Sequence, residues 1–225
     1  MVRFTALAAV LAFAGTSMAQ SFMESFDTTT GTPTGPIPAN WTSVNNSPGG
    51  PGTNPNWQVR VDANPFGANS GAGYAFANFN SSTGSNSISN YLISPLVTFN
   101  NGDEIKFWTR TVNTPFFPDR LELVYNTDGT TNPASFTNSL VTVNGALTTA
   151  GYPTSWTLFS ATISGLSGPT AGRFAFWYNP PNGGPSGANS DYVGIDDVMY
   201  TSVPAPASLA LLGLGGLVAA RRRRA

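Results

Sequence analysis

The chain is 225 residues long, room for one domain with processed ends. It has no Cys and no His, which excludes disulfides, thiol catalysis and a Ser-His-Asp triad and argues against a zinc site. Only 9% of residues are charged, and the formal net charge of −1 hides an asymmetry. Five bases (Arg60, Lys106, Arg110, Arg120, Arg173) face all 11 acids between Ser21 and Tyr200, leaving −6 there. That charge disfavours nucleic acid, whose phosphates need clustered Lys and Arg, and is compatible with a divalent cation.

In chain order, Met1-Val2-Arg3 is a short basic start, Ala6 to Gly15 is apolar, and Ser17-Met18-Ala19 fits the small-x-small cleavage rule. A secretory signal helix over 1–19, cut after Ala19, is expected. Phe22, Glu24 and Phe26 then share one strand face. Gly31 to Ala39 and Asn45 to Asn56 read as Pro/Gly/Asn loops around Trp41. Trp57, Val59 and Val61 alternate with Gln58 and Arg60, the mark of a half-buried strand. Tyr74 to Phe79, Ile88 to Ser94 and Leu96 to Phe99 are further strands. Asn100-Asn101-Gly102-Asp103 has hairpin-turn chemistry. Glu104 to Thr111 and Arg120 to Tyr125 alternate cleanly, and Pro133 to Leu140 allows one short helical turn. Trp156 to Ile163, Phe174 to Tyr178 and Tyr192 to Tyr200 close the series. About ten short strands without helices between them predict an all-β, antiparallel two-sheet jelly-roll sandwich over residues 20–200.

The tail, 201–225, is an address. Val203-Pro204-Ala205-Pro206 leads into the apolar, Gly-rich run Leu209 to Ala220, and Arg221-Arg222-Arg223-Arg224 follows. Pro breaks the preceding strand, a hydrophobic helix enters the bilayer, and the Arg cluster stays cytoplasmic. The run is short of the roughly 20 residues a stable span needs, which suits a transient membrane anchor. The arrangement resembles the PEP-CTERM sorting signal of Gram-negative bacteria, departing from it at Ala205, where Glu is usual. The resemblance implies an exosortase-like processing enzyme as partner, and an exported protein of the cell envelope or extracellular space.

The strands carry a second resemblance. Glu24-Ser25-Phe26-Asp27, Ile37-Pro38-Ala39-Asn40-Trp41, Asn56-Trp57, Asn90 to Pro95, Ile105 to Trp108, Leu121 to Tyr125, Tyr152 to Trp156, Phe174-Ala175-Phe176 and Gly194-Ile195-Asp196-Asp197-Val198 occur in that order. This set is similar to the choice-of-anchor J domain, related to the cleaved-adhesin and MAM-like jelly rolls. It implies a non-catalytic adhesive or accessory module, and calcium in the related adhesin domains.

The first and last strands are expected to meet and their acids to share one calcium, which takes six to eight oxygens. The candidate ligands are Glu24 with Asp196 or Asp197, and then Asp27. Asp196 and Asp197 are neighbours on a strand, so their side chains should face opposite sides. Both serve one ion only if the strand bends or one gives its carbonyl. Among the tryptophans, Trp156 and Trp177 lie in apolar strands and read as core, whereas Trp108, between Lys106 and Arg110, is the candidate for exposed glycan stacking. The expected function is binding to exopolysaccharide or another surface protein, without catalysis. The alternatives are a structural matrix component without a discrete ligand and a carboxylate-dependent glycan hydrolase.

Overall fold

The computed structural model describes residues 20–27 and 33–203. The signal helix expected over 1–19 and most of the sorting tail, from Pro204 on, lie outside the described residues. Thirteen strands follow one another: β1 (Phe22–Glu24), β2 (Thr34–Pro36), β3 (Thr42–Asn45), β4 (Gln58–Arg60), β5 (Tyr74–Asn78), β6 (Asn90–Ile93) and β7 (Val97–Phe99) come first. β8 (Glu104–Arg110), β9 (Leu121–Asn126), β10 (Asn138–Val143), β11 (Thr157–Thr162), β12 (Thr170–Tyr178) and β13 (Tyr192–Thr201) complete them. Helical structure among the described residues is limited to single 3₁₀ turns at Phe79–Ser81 and Pro133–Ser135.

The strands form two antiparallel sheets. One runs β11-β8-β13-β5-β4-β2, with β1 also paired to β13; the other runs β10-β9-β12-β6-β3, with β7 also paired to β12. Each sheet is thus built on one long strand, and each long strand changes its partner along one edge. β13 pairs with β5 through Tyr192–Ile195 and then with β1 through Val198–Tyr200. β12 pairs with β7 through Thr170–Gly172 and then with β6 through Ala175–Tyr178. The sequence reading missed β2, β3 and β10. Each is the outermost strand of its sheet. An edge strand packs less of each face, so its alternation is weak, and an edge also tolerates Pro36.

Between the sheets lies a core rich in aromatic side chains. Phe174, Phe176 and Tyr178 of β12 and Ile105 and Phe107 of β8 are fully buried. Trp41 and Trp57 are buried with them. Trp156 and Trp177, expected in this core, are not there. Both are half-buried on outer faces. Trp177 stacks on Tyr91 at 5.3 Å, and Trp156 packs edge-on against Phe66 at 5.6 Å. Alternation in a strand fixes which residues share a face, but an outer face that carries its own apolar cluster looks like an inner one.

The outer cluster on the seven-stranded sheet is Phe66, Tyr74, Phe76 and Tyr192, with Trp156 against it. Gly194 lies beneath these rings. A Cβ there would stand 2.8 Å from Phe66 Cε2 and 3.0 Å from Trp156 Cη2. Gly194→Ala is therefore expected to cost about 1–3 kcal/mol by overpacking. Urea unfolding measures it, and an unchanged midpoint would show that the ring layer can shift freely.

Candidate functional site

The seam where β13 exchanges β5 for β1 collects the predicted acids. The β13–β8 register runs from Asp196↔Trp108 to Met199↔Lys106, so β13 holds one extra residue there. This is a β-bulge, with Asp197 left-handed at φ 46°. Asp tolerates that conformation better than most residues. The bulge cancels the strict alternation, so the two carboxylates do not diverge as a regular strand would require.

Both carboxylates bind one loop. Asp196 Oδ2 accepts the Asn69 N–H at 2.7 Å and the Ser70 N–H at 3.3 Å. Asp197 Oδ2 accepts Asn69 Nδ2 at 2.7 Å, and its Oδ1 accepts the Ser70 hydroxyl at 2.7 Å. Asp196 Oδ1 takes the Asp197 N–H. Asp27 grips the far side of the same loop, its Oδ1 accepting the N–H groups of Ala72 and Gly73. A Cβ on Gly71 would fall 2.2 Å from both Asp27 carboxylate oxygens, and its φ is 61°, so glycine is required on both counts. Three of the four predicted acids therefore converge on residues 69–73.

Glu24 sits beside them. It pairs in register with Val198, the residue after Asp197. Its Oε1 accepts the Phe26 N–H at 3.0 Å. Phe26 is left-handed at φ 53° and fully buried. This kink turns the chain out of β1 and brings Asp27 to the loop. A bulky residue at positive φ is strained, and such strain gathers where structure is held for a purpose.

The electrostatics are unusual. Asp196 is fully buried and Asp197 is 5% exposed. Burial, with the adjacent Asp197 charge, pushes the Asp196 carboxyl up to about 7 against the backbone N–H bonds that favour its ionised form. Asp27 moves the other way. Desolvation works upward, but bonds from Ala72, Ser25 and Gly73 hold it below the usual range. Among the described residues the ion pairs are Arg60–Asp62 and Lys106–Glu104, and neither reaches the Asp pair.

Trp108 is half-buried on the outer face, in register with Asp196 on one side and exposed Leu158 on the other. The sequence reading missed Asn69 and Ser70, whose Asn-Ser-Gly run signals a turn but not its partners. It also missed Asp119, which is fully buried and accepts from Thr111, Tyr178 and the N–H groups of Asp191 and Tyr192. Nothing in its Pro-Asp-Arg context separates it from a surface acid.

Residues 20–163 match the family model of the cleaved adhesin domain. The chain belongs to the cleaved adhesin domain family. Residues 202–224 match the PEP-CTERM protein-sorting motif. This cleaved adhesin protein is thus an exported, cell-surface or extracellular one. Its described fold is similar to solved cleaved adhesin domains of Lys-gingipain. The K1 domain, from Porphyromonas gingivalis, is 19% identical, with a TM-score of 0.56 over 82% of this chain and 99% of that one. The K3 domain, from the same bacterium, is 17% identical, with a TM-score of 0.55 over 83% and 100%. The K2 domain is 20% identical, with a TM-score of 0.54 over 81% and 99%. No curated protein matches this cleaved adhesin chain.

Proposed function

We propose that this protein is a non-catalytic adhesive module, delivered to the cell envelope by an exosortase-type system and braced by calcium at the seam. One observation carries the calcium reading: Asp196 and Asp197 are buried side by side, with no base paired to either among the described residues. Two like charges in one buried site repel, and a divalent cation relieves that repulsion.

The donor chemistry fits a hard cation, since Glu24, Asp27, Asp196 and Asp197 offer only oxygens. Asp196 Oδ2 and Asp27 Oδ1 already accept two N–H groups each, but Asp196 Oδ1, both Asp197 oxygens and Asp27 Oδ2 accept one bond each and keep a lone pair for a metal. Among the described residues no group of three or more acids stands close enough to hold an ion by itself. Backbone carbonyls and water would complete the shell. Bound there, calcium would fasten β1, the 69–73 loop and β13 together. The tail residues Val203-Pro204-Ala205-Pro206 and Arg221 to Arg224 supply the address, and exopolysaccharide or a surface protein is the partner.

Melting the full chain in EDTA and in calcium tests the brace. Calcium at a hundredfold its Kd adds about 2.7 kcal/mol, a rise of about 5–10 °C for a domain of this size. Asp196→Ala combined with Asp197→Ala should melt lower and show no rise. A wild-type Tm indifferent to both additions rules the ion out.

A further inference from the structure

Phe116 is 84% exposed and its neighbour Phe117 43%. Large apolar side chains this open, side by side, mark a contact surface more often than an accident of packing. They stand on the loop between β8 and β9. With Phe79, Pro185, Gly187 and Asp191 they line a cleft of about 160 Å³ at one end of the sandwich. A cavity of about 150 Å³ accepts a six-membered ring.

The cleft is preformed. Asp191 Oδ2 accepts the Phe116 N–H at 3.1 Å, and Pro118 O accepts the Ser190 N–H at 2.9 Å. These bonds tie its two walls together. Buried Asp119 anchors the base by accepting the Asp191 and Tyr192 N–H groups. Ser190, in the wall, is left-handed at φ 73°. A wall held this firmly loses little freedom on binding.

We infer that this cleft binds a neutral glycan, a sugar ring lying on Phe116 and Phe117 while its hydroxyls donate to the Asp191 carboxylate. The inference rests on the reading of the chain as a binding module and places the contact. An aromatic pair beside a hydrogen-bond acceptor suits a ligand with one apolar face and a polar rim. Among the described residues no base lines the cleft, so an anionic ligand would find no counter-charge there. The same loop also walls a second depression, of about 310 Å³, lined by Asn113, Thr114, Pro115, Thr149, Ala150 and Thr154.

Affinity electrophoresis of the full chain through gels holding soluble mannan, galactan, xylan or dextran tests it. At least one glycan should retard the wild type. Phe116→Ala should weaken that retardation about tenfold with Tm unchanged, because the ring it removes is solvent-exposed. Asp191→Asn, which keeps the side chain's size, should weaken it too. Equal retardation of wild type and Phe116→Ala would overturn the site and leave the module reading standing. Retardation by none of the four overturns the glycan. If the wild type then binds purified surface protein and Phe116→Ala does not, the cleft docks protein. If it binds neither, the module reading falls as well.

Discussion

Asp119→Ala should be the most damaging single substitution of a charged residue in the chain. The carboxylate accepts the Tyr178 hydroxyl at 2.6 Å, the Thr111 hydroxyl at 2.8 Å, and the Asp191 and Tyr192 N–H groups at 2.8 and 3.3 Å. Alanine takes the acceptor from all four; the Thr111 hydroxyl still has the Tyr192 carbonyl at 2.8 Å, so three donors are left without it in a dry site. Each orphaned group costs about 1–3 kcal/mol, so a total loss of about 3 kcal/mol or more is expected. Denaturant unfolding reads it directly, and a loss under about 1 kcal/mol would mean water or a neighbour replaces the carboxylate. The substitution should also loosen the cleft proposed to bind a glycan, since Asp119 accepts the Asp191 and Tyr192 N–H groups beneath it.

The same residue makes stability depend on pH. Burial pushes Asp119 up to about 6, against its hydrogen bonds from Tyr178, Asp191 and Thr111. The unfolded chain releases that proton near pH 4. Between about pH 4 and 6 the folded state therefore holds the extra proton, and this contribution is lost as pH rises through 6. Asp119→Asn, which cannot titrate, should flatten that part of the stability profile. An unaltered profile would assign the slope to another group.

Phe174→Ala is the second large effect. The ring is fully buried and meets four others: Phe22 stacked at 6.2 Å, Trp41 edge-on at 5.9 Å, Phe176 at 6.0 Å and Tyr200 at 6.2 Å. It joins the two sheets, since Phe22 and Tyr200 belong to β1 and β13 while Phe174 and Phe176 belong to β12. Removing a buried Phe costs about 3–5 kcal/mol, a fall in Tm of about 10–15 °C. A three-residue strand has little else to hold it, so β1 should loosen first. The calcium response proposed for Glu24 and Asp27 should then shrink with stability. A calcium shift as large as the wild type's would show that β1 is held by its ladder alone.

Much of the architecture was written in the chain. Clean alternation in Glu104–Arg110 and Leu121–Tyr125 comes from strands with one face in the core, and such strands were found nearly to the residue. The edge strands β2, β3 and β10 were not found, whereas β11, also an edge, was; β2 and β3 are three and four residues long, too short to show a period. In β10 the register also shifts between Ser139 and Val141, which breaks the period a reader looks for.

The acids divide in the same way. Composition and order along the chain determined that the acids outnumber the bases in the domain, that Cys and His chemistry is absent, and that a sorting motif occupies residues 202–224. Those properties are additive or local, so they survive without coordinates. Only the tertiary structure decided where Asp196 and Asp197 point. A regular strand would have sent them to opposite faces; the bulge at the β5–β1 exchange brought both to Asn69 and Ser70. It alone decided that Asp119 is buried and that Phe116 is bare, because burial depends on which distant segments arrive, and no stretch of sequence contains its own neighbours.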